Sequence, residues 1–369
     1  MCIYIIFILI VFLLEFTDKV LFKPVKYTYL DIDYKKNRNY KIKKINSFNN
    51  RLTLIMILSL IIIWGFSAFR YNIGWDYQAY YNTIKYGIET NIVSNNEYIT
   101  IFLVKLAQNL KITNIYFVIN SFICIFFIGK TVRKYSRDFW VSIVFFICFP
   151  LFFLNSLSVI RIFSAIAITF YGLRYIKENK FYKYLLIVII ASLFHKSATI
   201  AIIFYFVKNI KFSRKKLIII LILLPFVGNI LNTIVFKFMP KYAVYTNESS
   251  IQEGTKAIFI FMLIEVFICI FKEKLTNLNK EINLYNNIYL VGLSIYLMFS
   301  NQGTMGHRLS LYGTIYSLLL IPEILLIFKS KKDRALVKIL IYTLCILMFL
   351  YTIQGGKTTY LPYKTIFNI

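Results

Sequence analysis

YLLIVIIASLFHKSATIAIIFYFV, residues 184–207, is the stretch that decides how this chain is organised. It is long enough for a transmembrane helix, which needs about 20 mostly apolar residues. Yet His195 and Lys196 lie near its middle, and it is flanked by Lys183 and Lys208. Lys and Arg collect in the cytoplasmic loops of membrane proteins. A single crossing would put one basic flank outside. A re-entrant hairpin with both ends cytoplasmic, and His195-Lys196-Ser197 near its tip, removes the conflict. Broken backbone at membrane depth is tolerated only inside protein or beside a water-filled cavity, so the hairpin also implies a cavity. The alternative is an ordinary span with a weak sidedness signal.

Similar apolar runs lie on either side. They are Cys2–Phe16, Leu52–Phe69, Ile115–Gly129, Phe139–Leu154, Val159–Tyr175, Leu217–Phe236, Ala257–Phe271, Leu284–Ser300, Leu309–Phe328 and Ile339–Ile353. Six basic segments separate them, namely Lys19–Arg51, Lys130–Arg137, Arg174–Lys183, Lys208–Lys216, Lys272–Lys280 and Lys329–Lys338. They hold 31 of the 43 Lys and Arg, which assigns them to the cytoplasm. The expected fold is all-α, a polytopic integral membrane helical bundle of about ten full spans plus the re-entrant hairpin. It forms one transmembrane domain over residues 1–369. Residues 19–51 are its basic cytoplasmic loop, residues 70–98 its extracytoplasmic loop, and both termini lie outside. The stretch Glu97–Lys111 carries Glu97, Lys105, Gln108 and Asn109 among apolar residues, which suits an interfacial amphipathic helix.

Composition agrees. The chain is 59% hydrophobic and 16% charged, against about 45–50% and about 25% in soluble domains. A net charge of +27 would suggest nucleic acid in a soluble protein. Here the loops explain it, and nucleic acid is excluded. Five scattered cysteines without a CxxC pair, and two distant histidines, give no disulfide framework and no metal signature. No glycine-rich nucleotide loop occurs, so no cofactor is expected. A donor molecule should reach this protein through the membrane or from outside.

With this topology the remaining charges gather at the outer face. Ionisable groups in lipid are costly unless they pair or line a cavity, so they are candidates for function. Arg70-Tyr-Asn-Ile-Gly74-Trp-Asp76-Tyr follows the second span, and Tyr80 and Tyr81 continue it. An Arg, a Gly turn and an Asp beside aromatic rings suit sugar recognition, since carboxylates accept hydroxyl protons and ring faces pack on pyranoses. The plainer reading is an interfacial aromatic belt. Asn155, Ser158, Arg161 and Ala165 share one face if helical. The planar fork of Arg161 suits phosphate oxygens, or Arg161 snorkels to headgroups. Ser192, His195, Lys196 and Thr199 would likewise share a face. Thr304, Arg308 and Tyr312 follow i, i+4, i+8, and a second Arg near the outer face would let two guanidiniums share a pyrophosphate. The unperturbed pKa of a histidine lies near working pH, and Lys196 beside His195 would keep the imidazole neutral. His195 is therefore a better base than Asp76, though it could be a packing residue. Glu265 is the carboxylate nearest a membrane centre, a proton-relay group or a neutral structural acid.

The segment from Arg70 to Tyr81 resembles the EpsG family of Wzy-like polysaccharide polymerases. Ser158-Val-Ile-Arg161-Ile-Phe-Ser-Ala, Ala191-Ser-Leu-Phe-His195-Lys-Ser-Ala, the late Arg308 and the closing Tyr360-Leu-Pro-Tyr363 are similar to it as well, in order, from about residue 51 onward. The resemblance implies a multi-pass enzyme of the bacterial cytoplasmic membrane. It would polymerise oligosaccharide repeats carried on undecaprenyl pyrophosphate, for capsule or exopolysaccharide, beside flippase and chain-length regulator proteins. Arg161 and Arg308 would hold pyrophosphate, with Arg70, Lys196 and Tyr80 binding substrate. His195 or Asp76 would activate the acceptor hydroxyl. A flippase for the same lipid, or a ligase that moves finished glycan, are the rival readings. The candidate charges gather on one face, whereas a transporter needs a path to both; sequence does not separate polymerase from ligase.

Overall fold

The computed structural model describes residues 1–22, 53–87, 96–210, 248–300 and 304–367, with a few positions between 213 and 228. From residue 23 the basic loop 19–51 lies outside the described residues, as does most of the apolar run Leu217–Phe236.

The first helix, α1 (Cys2–Leu21), runs past its apolar stretch. Its polar end is held by partners. Lys19 Nζ meets Glu15 Oε1 at 2.5 Å, Lys338 reaches the same oxygen, and Trp140 Nε1 donates to Asp18 Oδ2 at 2.7 Å. Buried charges persist only when paired in this way. Lys19 is thus the last turn of a helix rather than the start of a loop. Helix α2 (Leu54–Ala68) starts on a Thr53 cap, whose hydroxyl accepts from Met56 N at 3.1 Å. Then come α3 (Tyr77–Tyr86), α4 (Tyr98–Asn109) and the long α5 (Asn114–Tyr135).

The next apolar runs break. Helix α6 (Phe139–Cys148), capped by Asp138, stops short of Pro150. A residue before proline is pushed out of the helical region, and Phe149 is extended at ψ 119°. Helices α7 (Phe153–Ser158) and α8 (Ile160–Tyr171) meet at a non-helical Val159. Asn155 and Ser158 therefore do not share one continuous helical face with Arg161. After α9 (Leu173–Lys177) and α10 (Phe181–Ser192) the chain leaves the helix, then forms a 3₁₀ segment (Lys196–Ile202) and α11 (Ile203–Val207). Ser192 and His195 are likewise on no common helix with Thr199.

The stretch 184–207 folds back on itself. Tyr184 OH donates to Ala201 O at 2.6 Å. In a straight helix those residues would sit about 25 Å apart. At the other end the Phe181 and Phe206 rings lie 5.8 Å apart and Lys208 Nζ donates to Asn179 Oδ1 at 2.8 Å. Both flanks of the hairpin thus leave the bundle at one place, with His195 at the turn.

The remaining helices are α12 (Glu248–Ile270), α13 (Lys272–Leu278), α14 (Ile282–Met298), α15 (Thr304–Thr314), α16 (Ser317–Ile324), α17 (Lys331–Gly355) and α18 (Lys357–Tyr360). Helices α14 and α15 touch backbone to backbone. A Cβ added to Gly292 would lie 2.5 Å from Thr314 N, and one on Gly313 2.5 Å from Gly292 N. Small residues allow such close approach between helices.

The described residues do not confirm ten full spans. Among the described residues two helices, Asn114–Tyr135 and Lys331–Gly355, are long and apolar enough to cross a membrane. A third results if Gly306–Thr314 and Ser317–Ile327, bent by 53°, count as one. Of the other apolar runs, Phe139–Leu154 is broken at Phe149 and the stretch 184–207 at His195, and Leu217–Phe236 lies mostly outside the described residues. Cys2–Phe16 and Leu284–Ser300 form unbroken helices that fall short of that measure.

Charge separates the two ends of the bundle. One end joins α1, α6, α14, α16 and α17 through Lys19, Glu15, Asp138, Lys338, and Arg137 with Glu323 at 3.6 Å. Asn279 also donates to Glu323, at 2.6 Å, and Lys177 pairs with Glu281. The other end holds Tyr4, Arg70, Ser158 and His195. There a two-stranded sheet closes the fold. Strand β1 (Arg70–Tyr71) pairs antiparallel with β2 (Lys364–Thr365), Arg70 opposite Thr365. Tyr4 OH donates to Tyr360 O at 3.1 Å, so the first helix and the late residues meet at that end.

Candidate functional site

Glycine 74 sets the geometry of the segment after α2. Its φ is +104°, a region that L side chains rarely adopt, and a Cβ there would lie 2.2 Å from Leu157 O. The turn therefore presses directly on the α7 backbone. Trp75 N donates to Ser158 Oγ at 3.2 Å and Gly74 N to Thr359 O at 3.3 Å. This contact carries Asp76, which starts α3, to the break between α7 and α8.

Arg70 stands behind this turn and is 0% exposed. Its guanidinium donates to three main-chain carbonyls, Ser67 O, Ile73 O at 3.2 Å and Leu157 O at 3.0 Å. It lies against Phe117, 5.3 Å from the ring centre. The sequence pointed to Arg70 as a substrate ligand at the mouth. The structure gives it an inward position with its donors spent on backbone, which ties α2, the Gly74 turn and α7 together. Tyr80 is also enclosed, 1% exposed and stacked on Tyr116 at 5.0 Å. Burial pushes its hydroxyl up to about 12, so it stays protonated. The exposed ring of the segment is Trp75, at 58%.

Arg161 begins α8 and is partly exposed. Its Nε donates to Tyr80 OH, and its Nη1 pairs with Glu97. No described residue hydrogen-bonds its Nη2. Glu97, just before α4, is the hub. One oxygen takes Arg161; the other accepts from Lys196 N at 3.3 Å and faces His195 Nε2 at 3.8 Å. Two further bonds dock α4 on the hairpin turn, Ile99 N to Leu193 O at 3.1 Å and Thr100 Oγ1 to Phe194 O at 2.9 Å. Lys196 enters through its main chain, while its side chain is exposed.

His195 caps the 3₁₀ segment. Ser197 N donates to His195 Nδ1 at 3.3 Å, and Ser197 Oγ lies 2.6 Å from the same nitrogen. Tyr312 OH in turn is 3.0 Å from Ser197 Oγ. Helix α15 starts early, as the spacing of Thr304, Arg308 and Tyr312 requires. It delivers Tyr312 to this chain and Arg308 to the mouth, where Nη2 lies 4.0 Å from Asp76 Oδ1. Burial raises the Asp76 carboxyl from its usual range, opposed by Arg308 and then Arg161. His307 Nε2 sits 2.9 Å from Asn155 Nδ2.

Asp76, Arg161, His195 and Arg308 thus come from four separate stretches into one partly exposed charged cluster. Arg70 supports it from within. Glu97, Ser197 and Tyr312 were missed. For Glu97 the signal existed, since a carboxylate in an otherwise apolar helix start needs a cation nearby. Nothing in the sequence linked Tyr312 to Ser197. Glu265 lies apart, fully buried beside Asn286, whose Nδ2 donates to it at 3.2 Å. A groove of about 420 Å³ between α2 and α5, lined by Ile57, Trp64, Phe126, Lys130 and Arg133 among others, does not include the cluster.

A sequence model of the EpsG family matches residues 52–365, most of the chain and every residue of the cluster. No curated protein and no solved structure gives a significant match.

Proposed function

The chain belongs to the EpsG family, a membrane family linked to exopolysaccharide polymerisation, and from that premise we propose that it polymerises lipid-linked oligosaccharide repeats. The donor is a growing glycan on undecaprenyl pyrophosphate, and the acceptor is the sugar end of the next lipid-linked repeat. The reaction takes place at the outer face of the bacterial cytoplasmic membrane, which the chain crosses several times, and feeds capsule or exopolysaccharide. A flippase would deliver the repeats, and a chain-length regulator would act alongside.

The observation that carries this reading is the meeting of Arg161 and Arg308 around Asp76. Two guanidiniums from separate helices suit a pyrophosphate, since each offers a planar fork to phosphate oxygens. The Nη2 of Arg161, which has no hydrogen-bond partner among the described residues, would bind it. Preorganised cations at a leaving group stabilise the charge that develops as the bond breaks. The Asp76 carboxylate between them is a proton acceptor for the incoming hydroxyl. Trp75 offers an exposed face for a sugar ring.

Gene deletion followed by glycan sizing tests the reaction. Loss of the polymerase leaves single repeats outside the cell. Absence of external repeats would instead make the protein a flippase, and long chains stranded on the carrier lipid would make it a ligase. Sidedness is tested separately. Cysteines at Lys183 and Lys208, in a variant lacking native cysteines, should resist an impermeant label added from outside. Labelling of either would overturn the cytoplasmic assignment of the hairpin ends.

A further inference from the structure

His195 is at the turn of the hairpin, and its hydrogen bonds fix which nitrogen carries the proton. A backbone N–H can only donate. Ser197 N points at His195 Nδ1 at 3.3 Å, so Nδ1 must be the acceptor. The side chain of Ser197 is consistent with the assignment. With Nδ1 as acceptor, Ser197 O–H, 2.6 Å away, donates to it, and Tyr312 O–H is then the donor to Ser197 Oγ. The neutral imidazole then holds its proton on Nε2, the nitrogen that faces Glu97 Oε1 at 3.8 Å. That distance is too long for a hydrogen bond and leaves the N–H available. In this tautomer the only lone pair of the ring is already used as a helix cap.

A base needs a free lone pair within reach of the hydroxyl it deprotonates. Asp76 has one. It starts α3 without spending its carboxylate on capping the helix, its side chain is 30% exposed, and no described residue donates a hydrogen bond to that carboxylate. Glu97 does not qualify, because it is enclosed and both its oxygens are engaged.

We propose, resting on the polymerase reading above, that Asp76 is the base of this site and that His195 is a fixed Nε2–H donor to the leaving pyrophosphate beside Arg161. The acceptor hydroxyl oxygen attacks the anomeric carbon of the donor. The new C–O bond forms as the bond from that carbon to the pyrophosphate oxygen breaks, and the electron pair leaves with the pyrophosphate. The hydroxyl proton passes to the Asp76 carboxylate and then to water. The order of roles inferred from sequence, with His195 as base, is reversed, because the cap contact consumes the nitrogen that a base would use.

The charged and titratable groups facing Asp76 are Arg308 from α15, Arg161 from α8 and Tyr80 from its own helix. Burial raises the Asp76 pKa. Activity should therefore fall as pH drops through a value above the ordinary carboxylate range of about 4. Polymer formation is measured in proteoliposomes supplied with lipid-linked repeats. Asp76→Asn should lose about 10²–10⁴-fold in rate and keep donor binding. His195→Gln keeps an N–H donor, and His195→Asn keeps the cap; neither can accept a proton. At least one should stay within about tenfold of wild type with the acidic limb unmoved. If both fall as far as Asp76→Asn, or the limb vanishes with His195, the assignment is overturned. An inactive wild type overturns the polymerase reading and the base assignment together. Tautomers give a readout independent of turnover. With ¹⁵N-histidine labelling, and His307→Gln to assign the two signals, His195 should show an unprotonated Nδ1 and a protonated Nε2. The opposite tautomer returns the base role to His195.

Discussion

Arg70 and Arg161 begin alike, each an arginine near a helix end at the same end of the bundle, and the structure separates them by what they touch. Arg70 donates to carbonyls that cannot change charge or move away. Arg161 meets a phenol and a carboxylate, and its Nη2 has no partner among the described residues. Exchanging a carboxylate for a phosphate costs a guanidinium little, because the two present similar oxygens. Exchanging backbone carbonyls for a ligand would undo the contact between α2 and α7. The partner type, more than the charge, divides a framework arginine from a binding one.

The comparison can be broken most sharply at Arg70. Arg70→Ala leaves three buried carbonyls without donors and a void against Phe117. A loss of about 3–5 kcal/mol is expected, and little protein should survive in the membrane. Thermal unfolding in detergent and protein level both report it. A stable Arg70→Ala protein that makes no polymer would move Arg70 into the binding site.

Arg161→Lys should do the reverse. Its fold and level remain near wild type while polymerisation falls about 10²–10³-fold, because one ammonium cannot reproduce a planar fork beside a leaving group. Normal polymer length in this variant would make Arg161 a surface anchor.

Gly74→Ala sharpens the role of the turn. The added methyl meets Leu157 O and demands a positive φ, for a cost of about 1–3 kcal/mol. Asp76 rides on this turn, so activity should fall further than stability does. Parallel loss of the two would mean that the turn serves only the fold.

The smallest effect is expected for Tyr80→Phe. It removes the acceptor for Arg161 Nε but leaves the stack on Tyr116. A drop of about tenfold in rate with an unchanged melting temperature is the expected outcome. Complete loss would give the hydroxyl a direct part in the chemistry.

Sequence carried the helical class, the fold-back at 184–207 and the choice of Asp76, Arg161, His195 and Arg308, which the structure brings together, because these polar residues and the break violate apolar patterning and such violations are visible in one dimension. The number of crossings was less legible. Hydropathy sees a run such as Phe139–Leu154 as continuous, whereas its helix stops short of Pro150. Burial was not legible for Arg70 and Tyr80, since an arginine turned inward and one turned outward have the same letters around them. Glu97 depended on two partners from distant stretches, which only the folded chain brings together.

The pairing of β1 with β2 has a consequence for manufacture. Arg70–Tyr71 leaves the ribosome early, but Lys364–Thr365, together with the Tyr360 carbonyl that receives Tyr4, is translated almost 300 residues later. A nascent chain can insert its helices one after another and still lack the strand and the Thr359 carbonyl that hold the Gly74 turn down. The site is then fastened only once residues 359–365 have been made. A chain that stops before them carries the helices through α17 but leaves the Gly74 turn without the pairing that holds it in place.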